Sequence, residues 1–454
     1  MKIYLDTIGC RLNQAEIEHM AHGFRSAGHE IVASAELAEM AVVNTCAVTN
    51  DAVSVSRGKI RQIARAGVTD IVATGCWTTL QPERALELTN VTRVISNDRK
   101  DHLVADVLDL QPETFDLRPD PSTSSGQAFD LEPLTRIPLP GLHRRTRAFI
   151  KVQDGCNNQC TFCITTVARG EARSRTVADV IQDIQFALDG GAKEIVLTGV
   201  HLGSWGYEFE SHLAELIKAI LHHTDVPRLR LSSLEPWDLN ADFFSLWDSS
   251  TSLRASSRLM PHLHLPLQAG SDSTLKRMRR NTTTNSFREL IQSARETIPD
   301  VAITTDIIAG FPGETDEEFA HTLDFVNEMN FAGGHVFTYS PRPGTGAAKM
   351  KGQIQSEVRK KRNHILHDAL EESAKSYREK FIGQTMFVLW ESTSEMGERG
   401  WLMEGFTENY LRAQAFAESP RWNEIDRVAL TDCESNQVRG EILNEEMIHD
   451  RTTH

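Results

Sequence analysis

The chain has 454 residues, 40% of them hydrophobic, with a formal net charge of -15. These totals suit a soluble globular protein of two to four domains, and no apolar run is long enough to cross a bilayer. The acidic balance argues against nucleic acid as a partner, since phosphate binding draws on Lys and Arg, although local patches outweigh the sum.

Met1-Lys2-Ile3-Tyr4-Leu5-Asp6 lacks the charged start, apolar centre and small-residue exit of a signal peptide. A cytoplasmic protein with no membrane association is expected. Lys2–Asp6 reads as a strand and Asn13–Ala27 as a helix, then Met40–Asn44 as a strand and Asn50–Ala66 as a helix, then Asp70–Thr74 as a strand and Gln81–Thr89 as a helix. Strands alternating with helices predict parallel βαβ units, here a parallel α/β domain over residues 1–110. Cys10, Cys46 and Cys76 each fall just past the end of one strand. Loops after the carboxyl ends of parallel strands form one rim, where ligands bind, so these three cysteines are expected to gather at one site. The alternative is three ordinary buried cysteines.

Residues 111–141 read as a linker, punctuated by Pro112, Pro119, Pro121, Pro133, Pro138 and Pro140. Candidate strands resume at Ala148–Gln153, Glu194–Thr198, Arg228–Ser232, His262–Leu267, Ala302–Ile307 and Gly334–Tyr339, with helical stretches between them such as Thr176–Leu188 and Thr315–Met329. Six βα repeats predict a partial (β/α)6 barrel over 142–377, with its chemistry at the carboxyl ends of the strands. Thr385–Glu391, Gly400–Glu404 and Tyr410–Ala415 read as short strands of a small β-barrel over 378–445, followed by a polar tail at 446–454.

Seven cysteines, an odd number, in a long chain do not suggest a disulfide framework. Three of them stand in Gly155-Cys156-Asn157-Asn158-Gln159-Cys160-Thr161-Phe162-Cys163, a CxxxCxxC loop directly after a predicted barrel strand. Thiolates at this spacing can wrap one loop around three irons of a cubane cluster. No fourth cysteine lies nearby, and a missing ligand leaves one iron open, as catalysis requires. The alternatives are a zinc site, which would normally use two CxxC pairs, or a plain electron-transfer cluster.

CxxxCx(aromatic)C after the first strand of a partial barrel resembles the radical S-adenosylmethionine (SAM) superfamily. The resemblance implies that the open iron on Cys156, Cys160 and Cys163 chelates SAM. It also implies that an electron from this cluster yields a deoxyadenosyl radical, with Phe162 near the adenine. Thr7-Ile8-Gly9-Cys10-Arg11-Leu12-Asn13-Gln14, Asn44-Thr45-Cys46 and Thr74-Gly75-Cys76 are similar to the N-terminal domain of the methylthiotransferases. There the three cysteines hold a second iron–sulfur cluster, so two [4Fe-4S] clusters and SAM are the implied cofactors. Lys151–Gly155, Thr198–Gly203, Arg230–Pro236 and His335–Ser340 resemble the branch that methylthiolates C2 of N6-threonylcarbamoyladenosine at position 37 of tRNA. Other branches act on isopentenylated adenosine or on a ribosomal protein aspartate. The C-terminal segment resembles a TRAM domain. Thr165-Thr166 departs from the family, which usually has a proline soon after the third cysteine.

Further candidates follow from position. Thr198 and Gly199 end a strand where backbone can approach SAM, Gln268 follows another, and Gly310 begins a turn into a helix whose first N–H groups could hold an anion. Glu235, past a strand end, is a candidate to face the reaction. His262 and His264 are expected to pack or hydrogen-bond. For RNA, Arg169, Arg173 and Arg175 follow the cluster loop and are expected at the active-site mouth. His143–Arg147, Lys276–Arg280 and Arg359–Arg362 add basic runs, and Tyr410, Phe406 and Trp401 could stack bases or fill a core. The implied partners are a tRNA anticodon stem-loop, a reductant protein and a sulfur source. A non-catalytic iron–sulfur protein that binds RNA is the alternative of another class.

Overall fold

Five strands open the chain: β1 Lys2–Thr7, β2 Glu30–Val32, β3 Met40–Thr45, β4 Asp70–Gly75 and β5 Val91–Ile95. In this computed structural model, which describes residues 1–110, 146–247, 258–397 and 399–443, they form a parallel sheet ordered β2-β1-β3-β4-β5. β3 is buried at all six positions, as a central parallel strand covered on both faces must be. Helix α1, Arg11–Ser26, presents Ile17, Met20 and Phe24 at helical spacing to Ile3, Leu5 and Val42 on one face of the sheet. Ile60, Ile63 and Trp77 cover Val43 and Ile71 on the other. The expected helix at Gln81–Thr89 is instead two short ones, Cys76–Leu80 and Pro82–Leu86. Pro82 has no N–H to continue a helix but starts one well. The expected linker at 111–141 and tail at 446–454 lie outside the described residues.

The second sheet follows the expected order. β6 Arg147–Lys151 leads to a two-stranded ribbon of β7 Gln153–Asp154 and β8 Arg173–Ser174, then to β9 Glu194–Thr198, β10 Arg228–Leu231, β11 His262–His264, β12 Ala302–Ala309 and β13 Gly333–Thr338. β6, β9 and β10 pair in parallel, as do β11, β12 and β13, and the bridges Leu229↔Leu259 and Ser233↔His264 join the two halves. The result is a six-stranded partial barrel. Its outer face carries Ile150, Ile195, Leu197, Leu229, Leu231, Leu263 and Ile303 against the helices. The inner face is polar at its amino end, where Arg230 is bound to Glu194 at 2.9 and 3.0 Å. α1 lies against this inner face, with Ala15 packed on Phe149 and Val196.

A 24-residue helix, Ser356–Glu379, leads to a closed barrel of β14 Thr385–Gly397, β15 Gly400–Thr407, β16 Arg412–Ala417, β17 Ile425–Glu434 and β18 Gln437–Ile442. Val388, Trp390, Met403, Val428 and Leu430 fill it, joined by Tyr377 and Phe381 from the helix end. Its 407–411 turn closes the amino end of the larger barrel. Arg228 donates to Thr407 O at 2.7 Å and Arg230 to Glu408 O at 3.1 Å. Among the described residues no helix is long and apolar enough to cross a membrane.

Candidate functional site

The CxxxCxxC loop hangs between β7 and β8, which pair antiparallel through Gln153↔Ser174 and Asp154↔Arg173. Gly155 takes φ +70, and a Cβ there would lie 1.8 Å from Glu171 O, so only glycine lets the loop leave the ribbon at this point. Thr161 pins the far side, donating its N–H to Met278 O at 3.0 Å and its hydroxyl to Arg277 O at 2.9 Å.

Each of the three thiols faces hydrogen-bond donors. Asn158 N–H points at Cys156 Sγ at 3.4 Å, Thr165 N–H at Cys163 Sγ at 3.4 Å, and Arg280 Nη1 at Cys160 Sγ at 3.8 Å. Arg280 is held in place by Glu235 at 2.6 Å, by Pro266 O at 2.6 Å and over the Trp237 ring at 4.5 Å. His201 lies between Asp238 (Nε2–Oδ2 2.6 Å) and Asn158 (3.3 Å to Nδ1). Burial opposes its protonation, but the Asp238 hydrogen bond and contact with Cys156 outweigh this and hold its pKa at about 10. Burial pushes the Cys160 thiol up to about 11, with Arg280 opposing. Burial also raises Cys163. Buried thiols ringed by N–H and guanidinium donors fit a metal-bound thiolate, which the metal deprotonates and the donors stabilise.

The N-terminal cysteines lie at the ends of neighbouring strands. Cys10, Cys46 and Cys76 follow β1, β3 and β4. Gly9, at φ +116, allows the approach, since a Cβ there would meet Cys46 Sγ at 2.9 Å. Burial raises the Cys46 thiol, and Cys10 and Cys76 add to the rise. Cys10 has solvent-accessible surface, yet crowding by protein raises its pKa, with Arg169 opposing. Asn13 accepts from Cys10 Sγ at 3.6 Å and donates to Ile8 O at 2.7 Å and Thr45 O at 3.2 Å. Asn97 Nδ2 lies 3.7 Å from Cys76 Sγ.

None of these six cysteines is in a disulfide, and the seventh, Cys433, lies in β17. Among the described residues no three His, Cys, Asp or Glu side chains converge as a single metal ion requires. Cys156, Cys160 and Cys163 on one loop are the donor set that would hold an iron–sulfur cluster.

The remaining predicted residues divide between the two ends of the barrel. Phe162 packs with Ile308, Phe311 and Tyr339. Thr198 is buried, its hydroxyl on Val196 O at 3.2 Å, and a Cβ at Gly199 would meet Gln153 Oε1 at 3.0 Å. Gln268 has φ +75 and bonds β12 through Asp306 O at 2.8 Å. Gly310 N–H goes to Glu314 Oε2 at 3.0 Å, and the helix beyond is closed by the Thr315–Glu318 capping box. The expected anion site there is filled by the chain's own carboxylates. Glu235 orients Arg280, so its place is beside Cys160 through that guanidinium.

The arginines depart most from expectation. Arg169 is buried, with Nη1 on Glu16 at 2.8 Å and on Asp154 at 2.9 Å and Nη2 on Asn13 at 2.8 Å, so its guanidinium is turned to the chain's own oxygens rather than to phosphate at the mouth. Arg175 pairs with Asp183. Arg173 is exposed, 3.6 Å from Asp154. Tyr410 stacks on His262 at 4.6 Å and on Phe406 at 4.7 Å at the amino end of the barrel. Its two faces are therefore taken, and the packing reading displaces the base-stacking one. His262 and His264 both bond Thr304, at 3.0 and 2.9 Å, as expected. The basic runs split, with Lys276, Arg279, Lys360 and Lys361 exposed and Arg280 and Arg362 buried, Arg362 on Glu314 at 2.7 Å. Asn97 and Asp238 are absent from the sequence expectations, and Asn13 and His201 enter them only within longer motifs, with no role of their own. Asn13, three residues past Cys10 and at the start of a helix, is the one with a local signal.

Residues 150–326 match the Radical SAM superfamily, and residues 2–96 match a family described as uncharacterized protein family UPF0004. Threonylcarbamoyladenosine tRNA methylthiotransferase of Bacillus subtilis is 34% identical over 89% of this chain and 88% of its own length. The enzyme of the same name from Thermotoga maritima is 33% identical over 97% and 98%. The tRNA-2-methylthio-N(6)-dimethylallyladenosine synthase of Ehrlichia chaffeensis is 30% identical over 97% and 99%. Among solved structures, a radical SAM methyltransferase from Kitasatospora setae with cobalamin and a [4Fe-4S] cluster superposes with a TM-score of 0.53 at 15% identity over 76% of each chain, a likeness of fold. Relatives this similar span most of the length of both chains, and this chain matches both family models in its two α/β parts, so the protein belongs to the radical SAM methylthiotransferase family.

Proposed function

We propose that the protein methylthiolates C2 of N6-threonylcarbamoyladenosine at position 37 of tRNA, holding one [4Fe-4S] cluster on Cys156, Cys160 and Cys163 and a second on Cys10, Cys46 and Cys76. The observation that supports this reading is that Cys10, Cys46 and Cys76 follow the neighbouring parallel strands β1, β3 and β4, while the CxxxCxxC loop opens the partial barrel. The clusters and SAM, when bound, supply the electron, the radical removal of hydrogen, the sulfur and the methyl group. In the balance, the C2–H bond breaks and a C2–S–CH3 group forms. When bound, one SAM would take up the hydrogen and a second would supply the methyl, with a sulfur source to replace the sulfur and a reductant protein to supply the electrons.

The chain's own residues hold and shield. Gly155 and Thr161 fix the cysteine loop. Arg280, Thr165 and Asn158 aim donors at its sulfurs, and the 407–411 turn closes the barrel's far end against water. Exposed Arg173, Lys276 and Arg279 are cations on the loops and helix around the cysteine loop, available to phosphate.

Two observations favour the threonylcarbamoyl substituent over a dimethylallyl one. Relatives named for the former stand at 34% and 33%, against 30% for the latter. Along β11–β13 the residues in register on the inner face, His264, Thr304, Asp306 and His335, are partly or fully exposed. A polar lining of this kind suits a substituent with hydroxyl and carboxylate groups and discriminates against an apolar one. The test is anaerobic reconstitution followed by incubation with tRNA carrying either adenosine and mass analysis of the digested nucleosides. Methylthio product on the threonylcarbamoyl tRNA alone supports the reading. Product on the dimethylallyl tRNA alone overturns the substrate and leaves the family in place.

A further inference from the structure

We infer that Arg169 is a positioning residue that fixes the gap between the two cysteine sites. This rests on the two-cluster reading above. Arg169 ends the short helix Thr165–Arg169, which begins two residues after Cys163. That helix end is tied to the N-terminal domain twice. Its backbone at Ala168 accepts from Asn97 Nδ2 at 2.7 Å, and the same nitrogen lies 3.7 Å from Cys76 Sγ. Its side chain at Arg169 donates to Asn13 Oδ1 at 2.8 Å, and the same oxygen accepts from Cys10 Sγ at 3.6 Å. Asn13 Nδ2 donates in turn to Thr45 O at 3.2 Å, one residue before Cys46. All three N-terminal cysteines are thus linked, through Asn13 or Asn97, to the segment that follows the CxxxCxxC loop.

The seam around these links is ionic and buried except at Asp101, which is exposed. Arg169 and Lys100 share Glu16, at 2.8 and 2.9 Å, and Arg169 and Lys151 share Asp154, at 2.9 and 3.7 Å. Lys151 also pairs with Asp101 at 2.5 Å. Lys100, Lys151 and Arg169 face Glu16, Asp154 and Asp101, with the exposed Arg173 3.6 Å from Asp154 at the edge, so each carboxylate of the seam is paired. An apolar seam of the same volume would hold two domains together as well or better. Fork-shaped guanidinium bonds to Glu16, Asp154 and Asn13 add one register at fixed distances. Sulfur delivered from one site must meet carbon activated at the other, and a misplacement of about 1 Å can cost about a hundredfold in rate. Arg169 is the one residue of the loop segment whose side chain reaches both Asp154, at the entry to the CxxxCxxC loop, and Asn13, beside Cys10.

The test compares wild type, Arg169→Lys, Arg169→Gln and the charge-balanced pair Glu16→Gln/Arg169→Gln in the reconstituted full chain. Four quantities are measured: iron content, SAM cleavage, methylthio product and the dipolar interaction between the two reduced clusters by electron paramagnetic resonance. The pair variant covers the case in which Arg169→Gln alone strands Glu16 and fails to fold. The expected result is wild-type iron, SAM cleavage within about twofold, and product down about ten- to a hundredfold. The intercluster interaction is altered, with Lys intermediate on every readout. An unchanged intercluster interaction, or product and SAM cleavage falling by the same factor, overturns the inference while the two-cluster function stands. A wild type with only about four irons instead of about eight removes the function reading itself.

Discussion

Tyr410, on the turn between β15 and β16, stacks on His262 of β11 with ring centroids 4.6 Å apart and planes 28° from parallel. The contact joins the C-terminal barrel to the floor of the larger one. Arg11 and Arg147 each donate to the Tyr410 hydroxyl at 3.0 Å, and Arg230 lies 4.6 Å from the ring centre. Arg11 follows Cys10 directly, so this one phenol touches all three parts of the chain. Tyr410→Ala is expected to destabilise by about 3 kcal/mol, the range for deleting a well-packed aromatic, visible as a lower Tm. A change in tRNA affinity without a change in Tm would return Tyr410 to the RNA surface.

Glu194 sits beneath the same cluster, fully buried between Arg228 at 3.0 Å and Arg230 at 2.9 Å. Burial alone would raise its pKa, but Arg230 and then Arg228 outweigh it and bring the carboxyl down to about 2 from 4.5. A folded-state pKa below the unfolded one contributes stability that is fully present above the unfolded value and lost as pH falls through the folded one. The contribution is about 3 kcal/mol at neutral pH, at about 1.4 kcal/mol per pH unit. Chemical denaturation at several pH values should show this part of the stability disappearing between about pH 4.5 and 2. Glu194→Gln should lower stability at pH 7 and flatten that acid limb.

The cysteine sites are legible in the sequence because parallel topology fixes where a residue just past a strand end must go. β1, β3 and β4 each carry a short apolar run, Ile3–Leu5, Met40–Val43 and Ile71–Ala73, so Cys10, Cys46 and Cys76 can be placed on one rim. β2 and β5 have no such signal, since β2 is three residues long and Thr92 of β5 is exposed. The helix Ser356–Glu379 buries Leu366, Leu370, Ala374 and Tyr377 along one line, but charges between them dominate the string. Arg169 is harder still. A guanidinium aimed at phosphate and one aimed at a carboxylate 153 residues away look the same in sequence, and Glu16 itself reads as a solvated position on an amphipathic helix. Only the docking of α1 on the inner face of β6 and β9 distinguishes them.

Gly155→Ala tests the loop entry. The added Cβ would meet Glu171 O at 1.8 Å with φ at +70, so the ribbon must open or the loop must shift. Strain of this type costs about 1–3 kcal/mol. The expected variant folds with a slightly lower Tm, loads about half the wild-type iron, and loses SAM cleavage while the N-terminal cluster persists. Full iron and full SAM cleavage would mean that the loop tolerates another exit from β7.

Arg280 places a positive charge and an N–H 3.8 Å from Cys160 Sγ, with Glu235 and Trp237 holding it there. Donors and cations near cluster sulfurs favour the reduced, more negative state and so raise the potential. Arg280→Gln keeps a neutral donor and removes the charge. It also leaves Glu235 unpaired, which deepens the negative field beside the loop. The Cys156–Cys163 cluster should then become harder to reduce by some tens of millivolts, equivalent to about 1 kcal/mol. Glu235→Gln, which frees Arg280 from its partner but keeps its charge, should shift the potential the other way. Potentiometric titration in a Cys10/Cys46/Cys76→Ala background isolates this cluster. If both variants shift the potential in the same direction, loop geometry rather than charge sets it, and Glu235 acts on Cys160 only by holding Arg280 in place.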